Sequence, residues 1–235
     1  MTRIKRKWMR FWMKRAGLGP VGRLSTRLAA LFAPAYKDRI VLANCHPNGF
    51  IDPSAVISIE KDKLCLGKHV YIGGRCVFYQ AGPAGHKSGS ITLGDRVHLY
   101  RDVIVEIGNG GSLFIGSETH IQPRCQLTAY LGNLHIGSRV EIAPNCAFYP
   151  YNHGFSANEP IRDQALFTKG GIVVGDDAWL GFGVIVLDGV TIGNGAVVGA
   201  GSTVTQNIPD NAIAVGAPAH VVGMRNASVT PPPQS

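Results

Sequence analysis

A six-residue repeat dominates the C-terminal third of this 235-residue sequence. An aliphatic residue recurs at every sixth position, and the residue four positions after each one is small or branched. The first set is Val174, Leu180, Val186, Ile192, Val198 and Val204, and the second is Ala178, Val184, Val190, Ala196 and Ser202. A period of six fits neither an α-helix nor a simple alternating strand. It predicts short strands joined by corners, three to a coil, as in a parallel β-helix.

Less regular hexads extend this prediction toward the N-terminus, back to about Ile51. Four insertions interrupt them, at 79–92, 108–114, 128–135 and 149–171. Insertions in a solenoid leave from corners and gather on its surface, so we expect binding residues in them. The 30 Gly recur in register with the hexads, and we expect them at corners, where Gly reaches backbone angles that other residues avoid.

The composition, with 45% hydrophobic and 16% charged residues, is that of a globular protein. No apolar run approaches the roughly 18 residues that span a bilayer. Three of the five Cys (Cys76, Cys125 and Cys146) fall four positions after a hexad aliphatic, which predicts small inward-facing core residues. No Cys pair has zinc-type or redox spacing, so a reduced cytoplasmic setting is favoured over a disulfide framework.

The positive charge is concentrated at the N-terminus. Residues 1–39 hold 11 of the 23 Lys and Arg and a single acid, Asp38. We interpret 1–39 as a basic arm of two short helices, 40–222 as the β-helix domain with its long insertion at 149–171, and 223–235 as a flexible tail. Ile4, Trp8, Phe11 and Trp12 form an apolar helical stripe.

Two interpretations of the arm fit this pattern. A basic helix with aromatic residues on its apolar face can lie on an anionic membrane, here the inner face of the membrane from the cytoplasmic side. Alternatively, the arm docks on the body or on a neighbouring subunit. Basic residues interrupt the apolar segment, so we expect no secretory signal. No nucleic-acid-binding motif is present, and we expect no nucleic-acid partner.

The eight His divide by position. Four of them (His69, His98, His120 and His135) occupy corner or outward positions, where solvated or hydrogen-bonded roles are expected. Of the other four, His86 and His153 lie in insertions. His153 is the better candidate for a general base because it lies in the longest insertion, directly before the most regular coils, and imidazole titrates near neutral pH.

Several motifs resemble the hexapeptide-repeat acyltransferases, in particular the branch that O-acetylates sugars such as galactosides, maltose and exopolysaccharides. They are the segments NHGF (152–155), IRDQ (161–164), VGDDAWLG (174–181), GVTIG (189–193), GAGS (199–202) and GAPA (216–219). The resemblance is dense over about a third of the chain. It implies a left-handed parallel β-helix, an exception to the usual right-handed crossover. It also implies a homotrimer with sites between neighbouring prisms, and acetyl-CoA as the acyl donor.

The same resemblance implies roles for individual residues. His153 would take the proton from a sugar hydroxyl, and backbone N–H groups near Gly181 and Phe182 would stabilise the oxyanion. Trp179 would flank the pantetheine arm. The nucleotide end of the donor would meet a set of residues in the last coils: Ala200, Thr205, Gln206, His220 and Arg225. On the acceptor side we expect Asn152, Asn145 and His86, although a corner-turning role for Asn145 also fits.

The sequence therefore predicts an acetyl-CoA-dependent O-acetyltransferase that acts on a carbohydrate hydroxyl, in surface polysaccharide or glycolipid biosynthesis, without a metal. Three alternatives stay open: a non-catalytic β-helix that binds or scaffolds, an amine acceptor, and a longer acyl donor. A metal enzyme on the same prism is disfavoured because no two His are spaced five apart.

Overall fold

The computed structural model describes residues 3–33, 39–47, 49–82 and 89–225, and these form a three-sided parallel β-helix preceded by helices. Each coil contributes one strand in turn to sheets A, B and C. Coil stacking follows a parallel register, as in the pairing of Ile121 with Leu99 on one side and Ile142 on the other. The predicted three-strand coil is therefore present.

The strands of the three sheets are as follows. Sheet A holds β1 (Phe50–Ile51), β4 (Tyr71–Ile72), β7 (His98–Leu99), β10 (His120–Ile121), β13 (Glu141–Ile142), β18 (Trp179–Leu180), β21 (Val197–Val198), β23 (Ala212–Gly216) and the antiparallel β24 (Ala219–Met224). Sheet B holds β2 (Val56–Ser58), β5 (Val77–Ala81), β8 (Ile104–Gly108), β11 (Gln126–Tyr130), β14 (Ala147–Tyr149), β19 (Ile185–Leu187) and β22 (Thr203–Val204). Sheet C holds β3 (Leu64–Leu66), β6 (Ile91–Leu93), β9 (Leu113–Ile115), β12 (Leu134–Ile136), β17 (Ile172–Val174) and β20 (Thr191–Ile192).

The remaining elements lie outside this ladder. They are the helices α1 (Arg3–Met13), α2 (Pro20–Ala30) and α3 (Ile40–Ala43), the hairpin strands β15 (Asn152–His153) and β16 (Leu166–Phe167), and 3-10 turns at Lys61–Lys63 and Ile161–Asp163. Helical structure thus continues a few residues past the predicted boundary at 39, and β24 runs two residues past 222. Positions 226–235 of the predicted tail lie outside the described residues.

The core follows the hexad prediction closely. All eleven aliphatic and small residues of the two hexad sets between Val174 and Val204 are buried. Cys76, Cys125 and Cys146 are also buried, as predicted for small inward-facing residues. Stacking these columns buries apolar surface, and each Å² removed from water contributes about 25 cal/mol to the free energy of folding. A single coil could not bury its own apolar face.

Sheet B is longer than predicted in the first half of the prism. The strands β5, β8 and β11 each contain five residues. Their hydrogen-bonded ladder continues into the first residues of the predicted insertions 79–92, 108–114 and 128–135. Thr128 and Ala129 are fully buried within it. The prediction that 128–135 is a surface insertion is therefore wrong at its start, because β11 continues to Tyr130 and its three central residues, Leu127 to Ala129, are all buried.

The Gly predicted at corners divide into two groups. Some, such as Gly183 and Gly195 at φ 70° and 64°, do occupy left-handed corner positions, as predicted. The Gly that directly follow inward aliphatic residues have a different cause. At Gly137, a Cβ would lie 2.8 Å from the backbone nitrogen of Asp176 in the next coil, so close stacking excludes any side chain. Many of the left-handed corner positions are instead held by other residues, such as Asp177 at φ 58°. Bidentate pairing of Arg139 with Asp177 ties such a corner to the adjacent coil.

The helical arm docks on the outer side of sheet A. Met9 and Met13 of α1 are buried, together with small residues of α2, against the first coils. This cluster comprises Met9, Met13, Ala29, Ala33, Leu42, Ala43, Phe50, Tyr71 and Tyr100. Of the predicted stripe, Trp12 packs against this cluster, whereas Ile4, Trp8 and Phe11 are exposed. Within the described ranges, no helix is long and apolar enough to cross a membrane.

The four His predicted at corner or outward positions lie there. His69 adopts φ 59° at a corner, and its Nδ1 lies 3.1 Å from the carbonyl oxygen of Ala43. His98 and His120 stack face to face on the outer side of sheet A with ring centroids 4.6 Å apart. His135 stacks in the same way on Phe114 of sheet C.

Candidate active site

His153 lies on a short hairpin that leaves the edge between sheets B and C. β14 ends at Tyr149, and the chain then forms β15, a 3-10 turn and β16 before it enters sheet C at β17. His153 pairs antiparallel with Leu166, and its side chain is exposed. Its ring lies 6.4 Å from that of Tyr151, centroid to centroid. An exposed imidazole at the base of a surface loop can reach a substrate proton.

One buried carboxylate fixes both ends of this hairpin. Asp188 accepts hydrogen bonds from Nδ2 of Asn152 at 3.0 Å, Oγ1 of Thr168 at 2.9 Å, the backbone N–H of Lys169 at 2.6 Å and that of Gly171 at 3.3 Å. Asp188 is only 6% exposed. Asn152, predicted to contact the acceptor, thus also anchors the loop immediately before His153. The sequence interpretation missed Asp188, which resembles an ordinary corner residue there.

The tip of the insertion is closed by Gln164. Its Oε1 accepts from the backbone N–H of Ser156 at 2.7 Å, and its Nε2 donates to the carbonyl oxygens of Ser156 and Glu159, each at 2.9 Å. The backbone N–H of Gly154 also donates to the carbonyl of Ala165 at 2.9 Å. These bonds close the loop on both sides of His153 and limit its freedom.

A strip of tyrosines and one acid runs along the same edge. Tyr130 packs against Tyr151 with centroids 5.5 Å apart, and Tyr151 in turn contacts His153. Burial, followed by the charge of Glu106, raises the pKa of both Tyr79 and Tyr151. The sequence interpretation also missed this strip, because its members lie on different coils. The register of β5 against β8, which places Tyr79 beside Glu106, brings them together.

Predicted donor residues occupy two different edges. Gly181, Phe182 and Ala200 lie at the corner between sheets A and B, where Gly181 stacks directly on Ala200. Thr205 and Gln206 follow β22 at the B–C edge. In the strand register, Leu187 lies between Tyr149 and Thr205, so Thr205 is two coils away from Tyr149. The seven residues from Phe182 to Asp188 cross sheet B and span at most about 20 Å. Of these five predicted donor residues, His153 therefore shares an edge within one chain with Thr205 and Gln206 only.

Some of the backbone N–H groups at the A–B corner already donate hydrogen bonds within the β-helix. The N–H of Gly181 donates to the carbonyl of Val198 at 2.8 Å, so Gly181 is not available as the predicted oxyanion donor. Within the described part of the chain, no carbonyl accepts from the N–H of Phe182 or of Ala200. The oxyanion role of the Phe182 N–H stays a prediction, whereas the N–H of Gly181 is already bonded to Val198.

Asn145 also lies at the A–B corner. It adopts φ 62°, and its Oδ1 accepts from Nε of Arg124 at 2.8 Å. The corner-turning role is therefore present, and Asn145 and His153 lie on different edges of one prism. Ligand contact by Asn145 stays a prediction.

Trp179 and Arg225 line one groove on the outer side of sheet A. This groove of about 570 Å³ also involves Arg139, Glu141, Asp177 and Val197. Arg225 is held there by a bond from its Nη1 to the carbonyl of Gly195 at 2.7 Å. His220 lies apart from them, exposed on β24 opposite Val215. His86 lies outside the described residues, as do the other residues of 83–88.

Comparison with known proteins agrees with this geometry. Residues 171–206 match the model of the bacterial transferase hexapeptide family (six repeats). A Mycobacterium tuberculosis protein named "Probable acetyltransferase Rv3034c" is 34% identical over 173 residues, which are 72% of this chain and 47% of that protein. The galactoside O-acetyltransferase of Lactococcus lactis is 48% identical over 50 residues, or 21% of this chain and 24% of that one. The chain thus spans less than half the length of these curated relatives.

Among solved structures, a hexapeptide transferase family protein from Anaplasma phagocytophilum superposes with a TM-score of 0.51 at 17% identity, covering 70% of this chain and 80% of that one. The coil architecture is that of a left-handed parallel β-helix, as predicted. Repeat, fold and family match together define a hexapeptide-repeat protein. Residues 171–206 carry the repeat of the bacterial transferase hexapeptide family, and the chain is similar to that family.

Proposed function

We propose that this chain is an acetyl-CoA-dependent O-acetyltransferase whose acceptor is a carbohydrate hydroxyl. The observation that carries the proposal is the exposed His153 on a hairpin whose two ends are tied to the buried Asp188. The names of the curated relatives, which include a galactoside O-acetyltransferase, support the reaction class. The acceptor belongs to surface polysaccharide or glycolipid assembly on the cytoplasmic side of the membrane.

The carbohydrate acceptor lies on the tyrosine strip. Aromatic rings offer flat apolar faces with a polar hydroxyl at one end, and Tyr151 places such a ring beside His153. Glu106 adds a hydrogen-bond acceptor on the same strip. A sugar resting there presents a hydroxyl to the imidazole. His153 takes its proton while the hydroxyl oxygen attacks the thioester carbonyl of the donor, a role that supplies about 10²- to 10⁴-fold in rate.

The tetrahedral intermediate then collapses with departure of the coenzyme A thiolate, which receives the proton from the imidazolium. Its oxyanion is stabilised by the backbone N–H of Phe182, whose contribution is about 10²-fold or more. The balance is complete without a metal or redox partner: an ester forms, a thioester breaks, and one proton passes from hydroxyl to thiol. Trp179 and Ala200 flank the pantetheine arm.

The site is shared between copies of the chain in a homotrimer. His153 and Phe182 lie on different edges of one prism, about 20 Å apart along sheet B, so a single donor reaches both only when a second prism packs beside the first. Sheet B carries an outward, mostly apolar column suited to that contact, in which Val56, Ile104 and Ile185 are exposed and Gln126 and Thr203 are the polar members. The B–C edge of one copy, with Thr205 and Gln206, then faces the A–B edge of the next.

The test measures thiol release from acetyl-CoA by the full-length protein against sugars, nucleotide sugars and lipid-linked glycans. We expect activity with a carbohydrate acceptor and a loss of about 10²- to 10⁴-fold in His153→Ala. The matched control is His135→Ala, an exposed His on sheet C. Full activity in His153→Ala would refute the assignment of the base. Release only with amines or with longer acyl donors would instead support the alternative acyltransferases, and failure to bind acetyl-CoA would support a non-catalytic scaffold.

A further inference from the structure

The two N-terminal helices carry apolar residues on both of their faces. One face is packed on the body through Met9, Met13, Ala29 of α2 and Ala33 shortly after it. The other face exposes large side chains to solvent, and α2 with the three residues that follow it shows the contrast best. There, Ser25, Ala29 and Ala33 are buried, whereas Val21, Leu24 and Leu31 are 76%, 57% and 66% exposed. Burying the small residues and exposing the large ones is the reverse of what a solvated surface helix does.

The outward faces of α1 and α2 form one continuous surface. Ile4, Trp8 and Phe11 follow each other at helical spacing on α1 and are exposed. Trp8 joins α2, because its Nε1 donates to the carbonyl of Leu28 at 2.8 Å and its ring contacts Phe32 at 5.8 Å. We call this surface, defined by Ile4, Trp8, Phe11, Val21, Leu24, Leu31 and Phe32, the outer arm face.

Cationic side chains surround the outer arm face. Nine exposed Lys and Arg lie on or between α1 and α2, and residues 3–33 contain no Asp or Glu. They are Arg3, Lys5, Arg6, Lys7, Arg10, Lys14, Arg15, Arg23 and Arg27. In the described ranges, none of these nine has an ion pair. Arg3, Lys7 and Lys14 share a stripe directly beside Ile4 and Phe11 by helical spacing.

We propose that the outer arm face binds the surface of an anionic lipid bilayer while the opposite face of the same helices stays docked on the β-helix. Exposed Trp, Phe and aliphatic side chains enter the interface, and the surrounding cations meet the lipid phosphates. The charge selects this occupant. A second copy of the arm would place nine cationic side chains against nine others, which repel each other. A nucleic acid would leave Val21, Leu24 and Leu31 either exposed to solvent or in contact with phosphates.

The two interpretations of the arm are then compatible, because docking on the body and membrane contact use opposite faces of the helices. It is independent of the acetyl-transfer reaction, because binding is measured without substrates. Failure of membrane binding would leave the proposed enzymatic function untouched, and the converse also holds.

The test is co-sedimentation of the full-length protein with vesicles of phosphatidylglycerol and phosphatidylcholine in equal parts, compared with vesicles of phosphatidylcholine alone. We expect binding to the anionic vesicles that weakens as salt is added. Val21→Ser/Leu31→Ser removes two exposed apolar residues and should weaken binding at least tenfold. Its matched control is Ile161→Ser/Val222→Ser, two residues of the body that are 57% and 64% exposed, and this control should bind as the parent does.

A second pair of variants tests the charge without touching apolar residues. Lys7→Gln/Lys14→Gln should weaken binding about fivefold for each charge removed, whereas Lys61→Gln/Lys68→Gln, two exposed lysines of the body, should not. Binding that is absent on anionic vesicles, or equally affected by the body variants, overturns the proposal. So does a change of oligomeric state in Val21→Ser/Leu31→Ser, which would assign the surface to a second copy. Tight binding to a DNA duplex without vesicle binding would assign it to nucleic acid.

Discussion

The side-chain amide of Asn152 donates to the carboxylate of Asp188 at 3.0 Å across 36 residues of sequence. The same carboxylate accepts three further bonds from Thr168, Lys169 and Gly171 at the other end of the insertion. The position of His153 therefore depends on a residue that contacts neither of the proposed substrates.

Replacing Asp188 by Ala should reduce acetyl transfer about 10²-fold while the β-helix stays folded. The reason is that the hairpin loses its common acceptor, and displacement of a catalytic group by about 1 Å costs rates of this order. We expect the fall in kcat to exceed any rise in KM for acetyl-CoA, as measured by steady-state thiol release. Asp210→Ala is the matched control, since Asp210 also accepts a backbone N–H, from Asn194 at 2.8 Å, but at a distant corner. Equal losses in both variants would contradict a positioning role for Asp188.

Tyr151→Ala should raise KM for the carbohydrate acceptor about five- to tenfold and leave KM for acetyl-CoA unchanged. Its ring lies between Tyr130 and His153 and provides the apolar face on which a sugar would rest. Tyr151→Phe retains that face and should behave nearly as the parent. Initial rates over a range of acceptor concentrations make the comparison. A rise in the donor KM alone would place Tyr151 on the wrong side of the site.

His98 should make the fold less stable in acid. Burial, together with the stacked His120, lowers the pKa of His98 to about 4 in the folded protein, from an ordinary value near 6.5. The unfolded chain therefore binds a proton first, so stability is complete above about pH 6.5 and falls as the pH drops toward 4. The full effect is at most about 3 kcal/mol. Below about pH 4 this group causes no further loss.

His98→Phe keeps the ring stacking and removes the titration, so its Tm should fall less than that of the parent between about pH 7 and about pH 4.5. His135→Phe provides the control, since His135 also stacks on an aromatic ring but on the exposed side of sheet C. If the parent and His98→Phe lose the same Tm over this interval, His98 does not contribute to acid sensitivity.

Gly137→Ala should destabilise the prism by about 1–3 kcal/mol because its Cβ would press on the backbone of Asp176. Thermal unfolding should show a Tm lower by about 2–4 °C for each kcal/mol. Gly223→Ala is the comparison, because a Cβ there meets nothing within 4 Å. An unchanged Tm in Gly137→Ala would mean that the coils can separate locally at little cost.

The sequence was sufficient for the inward columns of the prism and for the exposed position of His153. Both depend on local period and on the length of one insertion, which a single chain displays directly. The contacts between coils were not accessible in this way. Asp188 resembles any corner residue until the register of β14 against β19 places it beneath the hairpin, and Glu106 reaches the tyrosines only through β5 and β8.

The arm illustrates the same limit. Helical spacing grouped Ile4, Trp8, Phe11 and Trp12 in one apolar stripe, but of these four Trp12 packs against the docked cluster and the other three are exposed. Which stripe meets the body depends on the shape of the docking surface. Phe50 and Tyr71 accept the flexible Met9 and Met13, which adapt to irregular gaps, and the small residues of α2 allow a close approach.

β12 pairs directly with β17, although 149–171 intervene between the strands of these adjacent coils. The long hairpin is therefore external to the ladder and is attached to it through Asp188. During evolution, its interior could be lengthened, shortened or rewritten without shifting the register of any coil, as long as the two tied ends were kept. Divergence of acceptor preference would then proceed in this segment at little cost to folding.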